Sequence, residues 1–234
     1  MNQEEPDKDP SGQRIYIRVL TYIKQLLIEN KLSSGDRIPT ERVLAEALSA
    51  SRNSIREALK IMENMGMIES RQGSGNYLCA NIGKSFTESL SMLLLTKQAD
   101  YIQLSQLRRA LEVQAFTLSV SKITDEQINA LDSLVKRMDL YSLSEQTKTD
   151  KEFHDIFIQA SGNMLIAQIM QALSDICRDF INLVLLTASE EERTVLLESH
   201  RTIFESLKEK NTFKGIGAIH AHYDLIDKLL EKSI

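Results

Sequence analysis

The stretch Ile38–Met65 constrains the fold of this chain more than any other. It reads Ile-Pro-Thr-Glu-Arg-Val-Leu-Ala-Glu-Ala-Leu, then Ser-Ala-Ser-Arg-Asn-Ser-Ile-Arg-Glu-Ala-Leu-Lys-Ile-Met-Glu-Asn-Met. Pro39 sets the chain's approach and Thr40 is suited to cap a short helix whose apolar side is Val43, Leu44, Ala47 and Leu48. Ser49-Ala50 turns the chain, and Ser51 can cap a second helix that buries Ile55, Ala58, Leu59 and Met62 at helical spacing. Gly66 suits the left-handed position just past its end. Two short helices joined by a tight turn are the reading these residues allow.

The flanks extend this unit. Ile15, Val19, Tyr22, Ile23, Leu26 and Leu27 recur at helical spacing, and the helix they predict stops near Asn30 before the turn Ser33-Ser34-Gly35-Asp36. After Gly66, two short apolar runs bracket Arg71-Gln72-Gly73-Ser74-Gly75, which predicts a hairpin. Three helices and a hairpin over residues 11–80 make a winged helix-turn-helix.

The second short helix opens with Ser51, Arg52, Asn53, Ser54 and Arg56, a front end free of bulky apolar groups. Arginines there can pair with guanine edges or phosphate, and Asn53 can read a base. Small hydroxyls and the positive end of the helix suit phosphate. Arg71, Gln72 and Gly73 at the hairpin tip are placed to reach a neighbouring minor groove. The alternative is a solvated helix pair with ordinary surface arginines. Net charge is −5 for the whole chain, which taken alone argues against nucleic acid. Residues 11–80, however, carry ten basic against seven acidic side chains, and the acidic excess lies elsewhere.

The motif Gly35-Asp36-Arg37-Ile38-Pro39-Thr40-Glu41-Arg42-Val43-Leu44-Ala45, followed by Ser51-Arg52-Asn53-Ser54-Ile55-Arg56-Glu57-Ala58-Leu59, resembles the GntR family of bacterial transcription regulators. The family pattern is G-x-x-L-P-S-E-R-x-L-A, then S-R-x-T-V-R-E-A-L; Ile38, Thr40, Ser54 and Ile55 are conservative departures. The resemblance covers residues 13–79. It implies that Arg42, Ser51, Arg52, Asn53, Ser54 and Arg56 contact double-stranded operator DNA, with Gln72 and Gly73 at the wing. Asn53 falls where the family varies, so its partner base stays open.

Residues 1–10 are acidic, contain Pro6 and Pro10, and are expected to form a disordered lead-in. Residues 81–85 read as a short linker. Beyond it proline is absent, glycine is confined to Gly162, Gly215 and Gly217, and no run alternates with period two. Residues 86–234 are therefore expected to be an all-α antiparallel bundle. Helices are predicted at about 85–96, 100–121, 125–141, 145–160, 163–187, 190–209 and 212–232, with Asp125, Ser144, Asn163 and Thr212 as caps. The fold class is mainly α.

All four histidines lie in this bundle. Asp150 and His154 are spaced i, i+4 and share one helix face. His200 lies on a second helix. His220 and His222 are about 200° apart around a third, so at most one can join a common centre. Such a set suits a first-row divalent ion, zinc foremost and nickel or manganese next. The alternative is a set of hydrogen-bonded or surface histidines.

Asp150-Lys151-Glu152-Phe153-His154, Ser161-Gly162-Asn163, Glu198-Ser199-His200 and His222 resemble the ligand-binding FCD domain of the FadR-type subgroup, with Leu107–Glu112 matching its earlier L-R-x-x-x-E. The resemblance implies that Asp150, His154, His200 and His222 are the metal ligands and leaves His220 out. Arg108 is either a clamp for an effector carboxylate or the partner of Glu112 in a surface salt bridge. The implied protein is a homodimeric, metabolite-responsive repressor, released when a small organic acid, such as a hydroxy or sugar acid, binds at the metal. The acyl-CoA responders of the subgroup lack this histidine set.

Two other functions fit less of the sequence. A small metallohydrolase would need a general base or nucleophile pair that no motif supplies. A sensor of the metal itself is disfavoured for soft metals by having only Cys79 and Cys177. Those two cysteines, far apart and in no CxxC pair, suit a reduced, cytoplasmic protein. No apolar run reaches the ~20 residues a membrane span requires; the longest, Ile176–Ala188, is broken by Arg178, Asp179 and Asn182.

Overall fold

A computed structural model describes residues 10–79, 83–138 and 143–233. The chain divides into two compact units, residues 1–85 and 86–234, each with its own apolar core. It is mainly α. Most of the expected lead-in lies outside the described residues; Pro10 already begins the first helix.

The first unit is built from α1 (Pro10–Ile28), α2 (Glu41–Ala47), α3 (Arg52–Asn64), β1 (Ile68–Arg71) and β2 (Gly75–Leu78). Thr40 and Ser51 cap α2 and α3, accepting from the backbone N–H of Val43 and Ser54. These caps satisfy donors that the first turn of a helix leaves without intrahelical partners. α3 buries Ile55, Ala58, Leu59 and Met62 on one stripe against Val19, Ile23 and Leu44. Each large side chain so buried contributes on the order of 1.5–3 kcal/mol. Gly66 takes a φ of +69°, the left-handed conformation that ends α3. β1 and β2 pair antiparallel from Ile68↔Leu78 to Arg71↔Gly75. The segment before α2 is tied to the same hairpin: Gly35 N–H and Ile38 N–H donate to Leu78 and Asn76, and Leu78 N–H donates to Asp36. This is the winged helix-turn-helix.

The second unit is all-helical. It comprises α5 (Tyr101–Ser119), α6 (Asp125–Met138), α7 (Leu143–Ala160), α8 (Met164–Thr187), α9 (Glu190–Lys208) and α10 (Thr212–Ser233), together with most of α4 (Gly83–Leu95). Because α4 starts at Gly83, residues 83–85 are helical where a linker was expected. The expected continuation of α6 to residue 141 falls outside the described residues. α10 packs against α5, α8 and α9, and α7 against α5, α6 and α8. Arg109 on α5 bridges to Asp224 and Asp227 on α10 at 2.7 Å each, which fastens those two helices.

Asn163 caps α8 as expected, accepting from Leu165 and Ile166 N–H. Two other caps sit one residue earlier than expected. Thr124 accepts from Gln127 N–H, and Asn211 accepts from Lys214 N–H. Asp125 and Thr212 instead open their helices. The cap needs an extended backbone one position before the first helical residue, a distinction composition does not make. The expected cap at Ser144 is also displaced, since α7 already begins at Leu143 and Ser144 lies within it.

Candidate metal centre and nucleic-acid interface

Three helices bring four side chains to one point in the second unit. Asp150 and His154 project from one face of α7, His200 from α9 and His222 from α10. One donor atom from each lies within 4.8 Å of the others. His154 Nε2 is 3.2 Å from His200 Nε2, and Asp150 Oδ1 is 3.0 Å from His200 Nε2 and 3.7 Å from His154 Nε2. The three imidazoles are buried and Asp150 is partly buried. His220, on the opposite face of α10, is exposed, as its angular offset from His222 requires.

The far side of each ring is already engaged. His200 Nδ1 lies 2.8 Å from the Leu196 carbonyl and can only donate to it. Ser199 gives its hydroxyl proton to the same carbonyl at 2.6 Å, so its oxygen is left to accept from His222 Nδ1 at 3.1 Å. His154 Nδ1 lies 2.7 Å from Glu112 Oε2, a short contact although not aligned along the N–H. These partners put a proton on Nδ1 of each ring and leave Nε2 turned to the common point. Phe153, fully buried, packs edge-on against His200 with ring centroids 4.9 Å apart and fixes its plane.

The electrostatics favour positive charge at that point. Burial works against a charged His154, but Glu112 and Asp150 outweigh it and hold the imidazole protonated up to about 10. Asp150 stays well below the usual carboxylate range, since its contacts with His154 and His200 override the burial that would raise it. Burial, reinforced by the neighbouring histidines, holds His222 well below its ordinary value and therefore neutral. Two Nε2 lone pairs 3.2 Å apart repel unless a proton or a cation lies between them. Three nitrogens and one carboxylate oxygen are a donor set that fits a divalent first-row ion.

Arg108 lies beside this cluster on α5, buried with 4 % exposure. The surface salt bridge is therefore excluded. Its nearest approach to Glu112 is 3.6 Å, and its Nε has no hydrogen-bond partner among the described residues. Glu112 is itself fully buried and accepts a 2.6 Å hydrogen bond from Tyr223. Sequence reasoning placed Glu112 only as Arg108's partner. Its contact with His154, from a helix 42 positions away in sequence, and the parts of Ser199 and Tyr223 were not visible there. The one signal was Glu112's place in the L-R-x-x-x-E pattern. Cys177, beside Arg108, has its thiol pushed up to about 11 by burial and packs as a neutral group.

A cavity opens on the cluster, lined by Arg108, Asp150 and the three histidines together with apolar side chains of α8, α9 and α10.

In the first unit, Arg42, Arg52 and Arg56 line one concave surface with Arg37, a residue sequence reasoning did not select. Arg37 lies against the backbone of Gly75, where a Cβ would come within 2.8 Å of its guanidinium. Arg56 is held bidentately by Glu41, with contacts of 2.9 and 3.1 Å, and Arg42 pairs with Glu46 at 3.0 Å. Arg52 and Asn53 are exposed in the first turn of α3. Ser51 and Ser54 are linked through their hydroxyls at 2.9 Å. Gln72 and Gly73 form the exposed hairpin tip, and Gly73 has a φ of +72°. Arg71, just before them, lies over the Tyr77 ring at 4.3 Å.

A winged helix-turn-helix with an exposed, arginine-bearing α3, joined in one chain to an all-helical unit with a buried ligand cluster, defines the class of two-domain bacterial regulators. Residues 15–78 match the model of bacterial regulatory proteins of the gntR family, and residues 103–225 match the FCD domain. The chain belongs to the GntR family and carries an FCD domain; it is a DNA-binding transcription regulator, not an enzyme. It is 28% identical over 210 residues to the HTH-type transcriptional regulator LutR of Bacillus subtilis (strain 168), covering 87% of this chain and 96% of that protein. It is 27% identical over 222 residues to the uncharacterized regulator YcbG of the same organism, covering 92% and 89%. Among solved structures, Streptococcus agalactiae GntR superposes with a TM-score of 0.64 at 25% identity, covering 93% of this chain and 99% of that one. No helix among the described residues is long and apolar enough to cross a membrane.

Proposed function

We infer that this protein is a cytoplasmic, homodimeric, metabolite-responsive repressor whose FCD unit binds a divalent metal, with a small carboxylate as effector. The observation that carries this reading is the convergence of three imidazole nitrogens and one carboxylate oxygen beside a buried arginine whose Nε has no hydrogen-bond partner among the described residues. Asp150, His154, His200 and His222 would hold the ion, and zinc fits the set best, with nickel or manganese as alternatives. A metal there supplies a Lewis-acidic anchor for a carboxylate oxygen.

The chain's own residues do the rest. Glu112, Ser199 and the Leu196 carbonyl hold the rings in register, and buried Arg108 supplies a second charge-assisted contact for the same carboxylate. In the winged unit, Arg52 and Arg56 are the base and phosphate contacts, with Arg42, Ser51, Asn53, Ser54, Gln72 and Gly73 completing the interface. Glu41 presents Arg56 in a fixed orientation. Two copies read a pseudo-palindromic operator. An effector that lowers operator affinity 100-fold must supply about 2.7 kcal/mol of difference between the two states.

The test has two parts. The full chain is used to select duplexes from a random library, and Arg52→Ala with Arg56→Ala should abolish binding to the selected sequence without changing the far-ultraviolet circular dichroism. Undiminished binding refutes the interface. Binding is then measured with metal alone and with metal plus acid. If metal alone displaces the duplex, the ion is the signal and the acid reading fails.

A further inference from the structure

The cavity beside the ligand cluster has most of its polar groups gathered at the cluster. Asp150, the three histidines and Arg108 form that part of the wall. Away from it the wall is Phe180, Ile181, Val184 and Leu185 from α8, Leu197 from α9 and Ile226 from α10. Among the described lining residues, Gln146 and Arg193 are the other polar groups, and Tyr223 has already committed its hydroxyl to Glu112. Arg193 spends its Nε on the Ala188 carbonyl at 3.2 Å. The free volume is about 60 Å³. At roughly 10–15 Å³ for each group the size of a water, that is room for about four to six heavy atoms.

A sugar acid does not suit these walls. Every hydroxyl carried past the carboxylate would lose its water and meet α8 side chains that cannot hydrogen-bond, and an unmade buried hydrogen bond is costly. A hydrocarbon tail has the opposite balance, since its transfer out of water is favourable. The α8 face is also shaped by sequence: Phe180, Ile181, Val184 and Leu185 follow the i, i+1, i+4, i+5 pattern of a continuous stripe.

We propose that the effector is a short monocarboxylate with an apolar tail, its carboxylate at Arg108 and the Asp150–histidine cluster and its hydrocarbon against α8. This rests on the carboxylate-effector reading above and narrows it away from sugar acids.

The experiment titrates the metal-loaded full chain by calorimetry with acetate, propionate, butyrate, pentanoate and hexanoate. The same titration is run with gluconate and with 3-hydroxypropionate, which replaces the terminal methyl of butyrate with a hydroxyl. Affinity should rise about fourfold for each methylene until the cavity is full. Butyrate should bind at least tenfold more tightly than 3-hydroxypropionate. Leu197→Gln, at a half-buried wall position, should shrink that ratio toward one, and Leu185→Gln serves as the second variant should the first misfold. If affinity is flat from acetate to butyrate, or gluconate or 3-hydroxypropionate binds as tightly as butyrate, the apolar-tail inference is overturned while the carboxylate reading stands. If no acid binds, both fall.

Discussion

Removing one ligand from the metal cluster should abolish the stabilisation that a divalent ion gives the folded chain. His200 is the informative position. Its Nε2 lies within 3.2 Å of both Asp150 Oδ1 and His154 Nε2, so it is the residue through which the other donors meet. An ion that binds only the folded state at 100 times its dissociation constant adds about 2.7 kcal/mol. For a unit of this size, at ~2–4 °C per kcal/mol, the unfolding midpoint should rise by roughly 5–11 °C. Second-sphere changes alone cost about 10–100-fold in metal affinity, so losing a direct ligand should cost ~100-fold or more. At the same free ion concentration His200→Ala would then retain about 0.4 kcal/mol, a rise of roughly 1–2 °C. The assay is scanning calorimetry of chelator-treated protein with zinc, nickel or manganese restored at buffered free concentrations. The quantity compared is the metal-dependent rise within each variant, which cancels the packing cost of the truncation itself. His220→Ala, on the exposed face of α10, is the control and should behave as the parent does. A parent chain indifferent to all three ions, or a His200→Ala variant with the parent's full rise, refutes the metal centre.

Two further outcomes follow from the same geometry. Glu112→Gln keeps the shape but removes the charge facing His154, and metal affinity measured by competition with a chromophoric chelator should fall about 10–100-fold; an unchanged affinity would show that Glu112 serves packing alone. Gly215→Ala places a Cβ within 1.9 Å of the Phe116 ring where α10 crosses α5, so chemical denaturation should show a loss of about 1–3 kcal/mol, and unaltered stability would contradict that packing.

Much of the chain could be read before any coordinates. Helix positions in the second unit followed from apolar periodicity and from the absence of proline, because a 3.6-residue repeat has one way to bury its stripe. Helix ends were less legible, as Thr124 and Asn211 show, since the cap is a matter of backbone angle. Arg108 is the clearest divergence. Its i, i+4 relation to Glu112 is written in the sequence, and on an exposed helix that relation is a surface pair. Burial of this face of α5 against α7 and α10 turns it into an arginine with an unpartnered Nε at the edge of a cavity.

The sequence by itself determined the winged helix-turn-helix and the helical bundle; local spacing put Asp150 and His154 on one face and allowed only one of His220 and His222 to join them, and the resemblance to the FCD domain pointed to His222. Only the tertiary structure decided what lies behind each ring and in front of the cluster. Glu112, Ser199, Tyr223 and the apolar wall of α8 come from helices remote in sequence, and no local periodicity encodes which remote face a helix will meet. Hydrogen-bond direction, lone-pair orientation and the polarity of a cavity wall arise between helices, so they exist only once the helices have packed.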